Sequence, residues 1–157
     1  MISSTAEYAL RAVAHLATHS AEPSTVQHMA EATKSPAGYL AKIMQDLVRA
    51  GIVHSQRGPN GGFMLARDAR QLSVLDVINA VDPIRRIEAC PLGIPAHGRT
   101  LCPLHQRLDN AIALVESVFA DTTIADLLQP PRGTEERCVF PRVELRRSAR
   151  SRKAKRA

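Results

Sequence analysis

Two cysteines and two histidines lie close together in the second half of this 157-residue chain. Their spacing is Cys90-x6-His97-x4-Cys102-x2-His105, which places four soft or borderline metal ligands within sixteen residues. Thiolate and imidazole ligands together suit an iron-sulfur cluster of mixed ligation or a tetrahedral zinc ion. The alternative is an unmetallated thiol switch, in which the two histidines are ordinary polar residues of a loop and a helix surface. We expect metal or redox chemistry here, and we assign Cys138 no role.

A loop followed by a long helix is the predicted setting of these ligands. Residues 84–100 show no sustained hydrophobic period and contain two prolines and two glycines, which is typical of an irregular loop. Pro103 is favoured in the first turn of a helix, and an apolar stripe follows at spacings close to a heptad seam. The stripe consists of Leu104, Leu108, Ile112, Val115 and Phe119 or Val118. It needs an apolar partner surface, and a short helix over residues 123–128 follows it.

Four helices and a hairpin are predicted ahead of the loop. Apolar residues recur at helical spacing over residues 4–18, 24–33, 36–50 and 73–81, and short apolar runs at 52–55 and 63–66 indicate strands. The predicted capping residues are Ser4 with Glu7, Ser24 with Gln27, Ser35 ahead of Pro36, and Ser73. Aromatic residues make up 3% of the chain, so aliphatic residues must fill the core, which favours packed helices. We therefore expect a mainly α fold.

The net charge of +6 is carried by the end of the chain. Residues 142–157 hold eight Lys or Arg and one Glu, a net +7, which leaves about −1 for residues 1–141. Such a run is typical of a solvated, disordered tail, with auxiliary DNA contacts as the alternative. The predicted organisation is a winged helix-turn-helix unit at 1–83, a cysteine and histidine sensor loop at 84–102, a long helix with a short terminal helix at 103–129, and a basic tail at 130–157.

The second and third predicted helices, joined by a short turn, form the skeleton of a helix-turn-helix. The second helix of such a unit, here the third predicted helix, enters the major groove of double-stranded DNA. Its outward positions are Ala37, Gly38, Tyr39, Lys42, Gln45 and Arg49. Lys42 and Gln45 suit base edges, whereas Ser35, Tyr39 and the amides at the helix start suit phosphates. For an isolated helix, a merely solvated face is the plainer interpretation.

The hairpin strengthens the nucleic-acid interpretation. Its tip, residues 57–62, reads Arg-Gly-Pro-Asn-Gly-Gly. Arg57, beside Gly58 and Pro59, lies at the base of a wing that can enter a minor groove, where a guanidinium is favoured. The same glycines do not form a phosphate loop, because they lead into a strand and lack the following Lys and Ser or Thr.

Other classes of protein receive little support. No apolar run is long enough to span a bilayer and the first residues lack the features of a signal peptide, so we expect a cytoplasmic protein. Cysteines in that compartment are poor candidates for a structural disulfide. An enzyme or electron carrier is the least supported function, because no nucleophile-base set or second cysteine motif is present, and we expect no small-molecule substrate.

These motifs together resemble the Rrf2 family of winged-helix regulators, which includes IscR-like and NsrR-like proteins. The resemblance covers residues 1 to about 129 and is most specific in the wing. It rests on Tyr8-Ala9-Leu10-Arg11, on Tyr39-Leu40 with Leu47, on Ala50-Gly51-Ile52-Val53 and Ser55, and on Arg57-Gly58, Gly61-Gly62-Phe63 and Leu65-Ala66-Arg67. It implies a homodimer, held by the long helix, that binds a roughly two-fold DNA site and usually represses transcription.

The loop both follows and departs from that family. Cys90 and Cys102 are spaced like the outer cysteines of a three-cysteine cluster loop, but Ala96 stands where the middle cysteine is expected. His105 stands where IscR-like members place a cluster histidine. Glu7 falls where NsrR-like members place an acidic ligand from the partner subunit, although it also completes the predicted capping box. Two cysteines with His105 and one of His97 or Glu7 are sufficient for a 2Fe-2S cluster, the cofactor we expect, with zinc or no metal as alternatives.

Overall fold

A computed structural model describes residues 2–90 and 101–129 of the chain. Six helices and one two-stranded antiparallel sheet lie in these ranges. In chain order they are α1 (Ser4–Thr18), α2 (Val26–Thr33), α3 (Ala37–Arg49), β1 (Val53–Gln56), β2 (Gly62–Leu65), α4 (Val74–Val81), α5 (Pro103–Asp121) and α6 (Ile124–Leu127). The predicted mainly α class with a small hairpin is confirmed. The expectations for Ala96, His97, Cys138 and the basic tail lie outside the described residues.

The start of α1 differs by one residue from the predicted capping box. Ser3 is the N-cap, with extended backbone angles, and its hydroxyl accepts a hydrogen bond from the amide of Ala6 at 3.2 Å. Ser4 already belongs to the helix, so the predicted pair of Ser4 with Glu7 is wrong. The carboxylate of Glu7 instead pairs with Arg11 one turn later, the usual spacing of a helical ion pair.

The starts of α2 and α3 also differ from the prediction. Thr25, rather than Ser24, caps α2, and its hydroxyl accepts from the amide of His28 at 3.2 Å. Pro36 is the N-cap of α3 and makes no side-chain cap bond. Ser35 does not cap that helix because its hydroxyl is buried in the turn and lies 2.9 Å from the hydroxyl of Thr33.

The starts of α4 and α6 pair with each other. Ser73 caps α4 as predicted, in a capping box with Asp76, and Thr123 forms the same arrangement with Asp126 at α6. The two capping residues lie opposite each other in an isolated antiparallel bridge. The amide of Val74 donates to the carbonyl of Thr122 at 2.8 Å. The segment between α5 and α6 therefore lies against the start of α4.

The core lies between α1, α2, α3 and α4, with α6 closing one side. Its largest fully buried side chains are Leu16, Met29, Leu40, Ile43, Met44, Leu47, Ile52, Leu72 and Ile124. Alanines at positions 6, 9 and 12 are buried on the same face of α1. Because an alanine side chain is a single methyl group, it lets the neighbouring helices pack close to α1. Aliphatic residues thus fill the core, as the composition predicts.

The hairpin is attached to the start of α2 through Ser24 and Phe63. The strands pair from Val53 opposite Leu65 to Gln56 opposite Gly62, one residue later in β1 and one earlier in β2 than predicted. Ser24 and Phe63 exchange two backbone hydrogen bonds of 3.0 and 2.9 Å. A Cβ at Gly62 would lie 2.7 Å from the carbonyl oxygen of Ser24, so this close approach requires glycine.

Helix α5 is the most exposed of the long helices. Asp109 is its one buried residue, and the structure describes every residue of the helix. Its exposed large apolar side chains are Leu104, Leu108, Leu114 and Val118. Within the described ranges, no helix is both long and apolar enough to cross a membrane.

Candidate functional site

Cys90, Cys102 and His105 come together at the start of α5. The Nδ1 atom of His105 lies 3.1 Å from the Sγ of Cys102 and 3.8 Å from the Sγ of Cys90. The three ligand atoms all lie within 4.8 Å of one another, and each residue is partly buried. Three of the four ligands expected from the sequence are therefore adjacent in the fold.

The local structure explains why Cys102 and His105 meet. Cys102 is the N-cap of α5 with extended backbone angles, and Pro103 occupies the first helical position. Residues three apart at a helix start lie on the same face, so the imidazole turns back toward the thiol.

The three residues fit a metal. Ligand atoms that lie about 2.0–2.3 Å from one tetrahedral ion are separated by roughly 3.3–3.8 Å, close to the spacings found here. Within residues 2–90 and 101–129, the potential metal group consists of these three side chains. Glu7 of the same chain is not part of it, and its carboxylate pairs with Arg11 on α1. His97, the other proposed fourth ligand, lies outside the described ranges.

A salt bridge joins the segment before Cys90 to α5. Arg86 donates from Nε and Nη2 to the two carboxylate oxygens of Asp109, at 2.7 and 2.5 Å. The amide of Ile87 donates to the same carboxylate at 2.9 Å. The Arg86 hydrogen bonds and the Ile87 amide lower the pKa of Asp109 to about 2. This pair is not apparent from the sequence, because its partners are 23 positions apart.

The predicted DNA-contacting residues of α3 lie on an exposed surface, with one exception. Gly38, Tyr39, Lys42 and Gln45 are exposed, as are Arg49 and the wing residues Arg57, Gly58 and Pro59. Ser35 is only 8% exposed, and its hydroxyl has the partner in the turn described above. The side chain of Arg49 pairs with Asp46 on the same helix.

Side chains of α1 support the start of α3. The sequence alone did not indicate that these side chains belong with the predicted DNA-contacting surface. The hydroxyl of Thr5 hydrogen-bonds to that of Tyr39, and the ring of Tyr8 meets the Tyr39 ring edge-on at 6.0 Å. Arg11 lies over the Tyr8 ring and donates to the carbonyl of Thr33 at 3.3 Å. Tyr8 and Arg11 are three residues apart in α1, the spacing that could have revealed their common face.

Three histidines meet behind the wing. The buried ring of His15 stacks on His19 at 4.4 Å and meets His28 edge-on at 5.4 Å. The hydroxyl of Ser24 lies 3.3 Å from His15 Nε2 and 3.2 Å from His28 Nδ1. Burial, followed by the two neighbouring imidazoles, lowers the pKa of His15 to about 4. His15 is therefore neutral at pH 7, and Ser24 joins this cluster to the hairpin.

An apolar groove of about 580 Å³ lies beside α5. It runs between the start of α1, the end of α4, residues 82–87 and α5. Its apolar lining includes Ile2, Ile78, Ile84, Ile87, Leu108, Ile112, Val115 and Phe119. Four residues of the predicted heptad stripe, Leu108, Ile112, Val115 and Phe119, thus line a groove rather than a closed core.

Known proteins share both the sequence and the fold. Residues 2–130 match the Rrf2 family, described as an iron-dependent transcriptional regulator. An Aquifex aeolicus protein named as an HTH-type transcriptional regulator is 31% identical, over 90% of this chain and 97% of its own length. The regulator IscR of Vibrio atlanticus is 30% identical, over 82% of this chain and 75% of its own length.

The solved structure of CymR, titled the global cysteine regulator of B. subtilis, superposes with a TM-score of 0.68 at 26% identity. The match covers 81% of this chain and 95% of that one. The helix-turn-helix, the wing and the long helix described above are thus shared with known regulators, which are not enzymes. The chain belongs to the Rrf2 family of DNA-binding, winged-helix transcriptional regulators.

Proposed function

We propose that this protein is a homodimeric repressor whose affinity for DNA is set by a 2Fe-2S cluster, or by the redox state, at Cys90 and Cys102. One observation carries the sensing part of the proposal. A Cys90, Cys102 and His105 group, with ligand atoms within 4.8 Å of one another, lies at the start of the long helix of an Rrf2-family chain. Such a group can hold a metal or undergo thiol oxidation, and both suit a sensor.

The proposed DNA contacts follow from the exposed face of α3 and from the wing. Lys42 and Gln45 project from the middle of the helix and suit base edges in the major groove. Gly38 and Tyr39 lie in its first turn, where amides and a hydroxyl can meet phosphates. Arg57, which Gly58 and Pro59 follow, extends to a minor groove. Ser35 is the least accessible of the predicted contacts, and its hydroxyl is hydrogen-bonded within the turn between α2 and α3.

The proposed dimer is supported by the apolar surface of α5. Leu114 and Val118 are 68% and 53% exposed, and Leu104 and Leu108 are also exposed. At 100° per residue these side chains and the groove-lining residues occupy one continuous face. A second copy packed on this face removes it from water and places two α3 helices on one DNA. Half-sites about 34 Å apart are then expected.

In the proposed sensor, the thiolates of Cys90 and Cys102 and the imidazole of His105 hold the cluster. His97, or the partner subunit's Glu7, supplies the fourth ligand. A bound cluster would supply a group whose presence or redox state changes with iron supply or oxidants. Because Cys90 follows α4 and Cys102 begins α5, the state of the ligands alters the connection between the DNA-binding unit and the dimer helix. The spacing of the two α3 helices depends on that connection.

A zinc site is the second candidate, and the spacing of the ligand atoms favours it. The 3.1 and 3.8 Å separations suit a single tetrahedral ion, whereas a 2Fe-2S cluster distributes its four ligands over two irons. A structural zinc ion would hold the loop on α5 without sensing. Colour distinguishes the two, because zinc gives no visible absorption.

The test is anaerobic purification followed by a visible spectrum and analysis of iron, sulfide and zinc. A cluster predicts a coloured protein whose colour is lost in Cys90→Ala and in Cys102→Ala and weakened in His105→Ala. Cys138→Ala is the matched control and keeps the colour. A colourless protein with stoichiometric zinc, which binds DNA equally well after Cys102→Ala, would contradict the sensing proposal.

A further inference from the structure

Arg86 and Asp109 form a charged contact just before the proposed sensor. Arg86 follows α4, four residues ahead of Cys90, and Asp109 lies in α5, one turn after His105. Two hydrogen bonds join the guanidinium to the carboxylate, and the amide of Ile87 adds a third at 2.9 Å. Both oxygens of Asp109 are therefore used to hold residues 86 and 87 on α5.

The burial of Asp109 is unusual for its helix. It is 7% exposed, whereas the rest of α5 is partly or fully exposed. A buried carboxylate is costly unless hydrogen bonds and an opposite charge compensate it. An aliphatic residue at this position would be buried without that cost. The hydrogen bonds to residues 86 and 87 thus explain the presence of a carboxylate at position 109 better than packing does.

The residues that Asp109 holds, 86 and 87, lie in the segment that leads to Cys90. Two ligands of the metal group, Cys102 and His105, belong to α5 and are placed by that helix. Cys90 reaches them from the other side of the loop, and residues 84–89 have no regular secondary structure. Cys90 is three positions after Ile87, so fixing Ile87 confines the Cys90 Cα within about 11 Å of it.

We propose that Asp109 and Arg86 are positioning residues that bring the Cys90 thiol to Cys102 and His105. The role in metal binding rests on the function proposed above, but the position of the thiol does not require a metal. The pair acts on Cys90 through the backbone of residues 87–90.

The experiment measures how fast Cys90 and Cys102 form a disulfide in the full-length, metal-free chain carrying Cys138→Ala. Diamide is the oxidant: the two thiols lose two electrons and two protons, the S–S bond forms, and diamide is reduced to the hydrazine. The variants are Asp109→Asn and Arg86→Lys. Asparagine keeps one acceptor but turns an amide donor toward the guanidinium, and lysine loses the two-pronged contact.

We expect disulfide formation to slow by about tenfold or more in both variants, because the effective concentration of one thiol near the other falls. The matched control is Glu116→Gln, which removes a carboxylate that lies 3.4 Å from Arg86. Its rate should stay within about twofold, since that hydrogen bond is long. Circular dichroism and thermal unfolding show whether each variant is folded, and a purely structural role would change stability without changing the rate in the folded protein.

Rates equal to the parent in folded Asp109→Asn and Arg86→Lys would overturn the proposal. If Asp109→Asn does not fold, Arg86→Lys decides alone, because the Arg86 side chain is 42% exposed and its replacement leaves no buried cavity. A parent that forms the disulfide rapidly but binds neither iron nor sulfide overturns the cluster and not the positioning pair. The two failures are therefore distinguishable.

Discussion

The Nε2 atom of His15 lies 3.3 Å from the hydroxyl of Ser24, whose backbone pairs with Phe63 of the hairpin. The same hydroxyl lies 3.2 Å from Nδ1 of His28. A hydroxyl has one proton, so it can donate to one imidazole while accepting from the other. When the hydroxyl donates to Nε2 of His15, that imidazole is neutral, in agreement with the lowered pKa of His15.

The first prediction concerns acid stability. The pKa of His15 falls from 6.5 in the unfolded chain to about 4 in the fold, so its neutral form is favoured by folding. The corresponding stability is fully present above pH 6.5 and is lost progressively as pH falls toward 4. By pH 5 the loss should be about 1–2 kcal/mol. Urea unfolding of the parent at pH 7 and pH 5 measures it.

His15→Gln keeps a hydrogen-bonding side chain beside Ser24 but cannot gain a proton. The free energy of unfolding of this variant should therefore differ less between pH 7 and pH 5 than that of the parent. His54→Gln, a change at an exposed position of β1, is the control and should keep the parent's difference. An unchanged pH dependence in His15→Gln would contradict the assignment.

The second prediction concerns base recognition by α3. Lys42→Ala and Gln45→Ala should each weaken binding to the specific site by about 1–3 kcal/mol, because each removes a proposed base contact. Binding to random DNA should change much less. Arg70→Ala, an exposed residue that pairs with Asp68 away from α3, is the control. Fluorescence anisotropy with both DNAs checks this, and equal losses on both would count against base readout.

The third prediction concerns the attachment of the wing. Gly62→Ala places a methyl group 2.7 Å from the carbonyl oxygen of Ser24, so the strands must shift. We expect the free energy of unfolding to fall by about 1–3 kcal/mol. Gly38→Ala is the contrasting variant, because nothing lies within 4 Å of its Cβ position. It should raise stability by up to about 1 kcal/mol, since alanine is the better helix former. Denaturant titration of both variants measures the difference.

The fourth prediction concerns the face of α5. Val118→Glu introduces a charge into the proposed dimer interface and should weaken dimerisation by about 2 kcal/mol or more. Ser117→Glu introduces the same side chain one position away, outside the apolar face, and should leave the dimer intact. Analytical ultracentrifugation of both variants checks the result. If the two variants dimerise equally well, this face is not the interface.

Short-range signals in the sequence were enough for the class of fold, the hairpin and the approximate bounds of the helices. They also located the pair Cys102 and His105, because three residues at a helix start set their separation. The family resemblance also rests on local motifs, and the family match covers residues 2–130. In each case the partners are neighbours along the chain, so spacing alone determines their geometry.

Contacts between distant parts of the chain were decided by the tertiary structure. Ser24 fits the pattern of a capping residue, yet packing against Phe63 and two histidines assigns its hydroxyl elsewhere and leaves the cap to Thr25. Asp109 looks like a solvated helix residue until Arg86 is found beside it. The place of Cys90 next to His105 likewise depends on how residues 84–90 lie on α5. A linear pattern does not encode these pairings, because burial and long-range hydrogen bonds arise only when the elements pack.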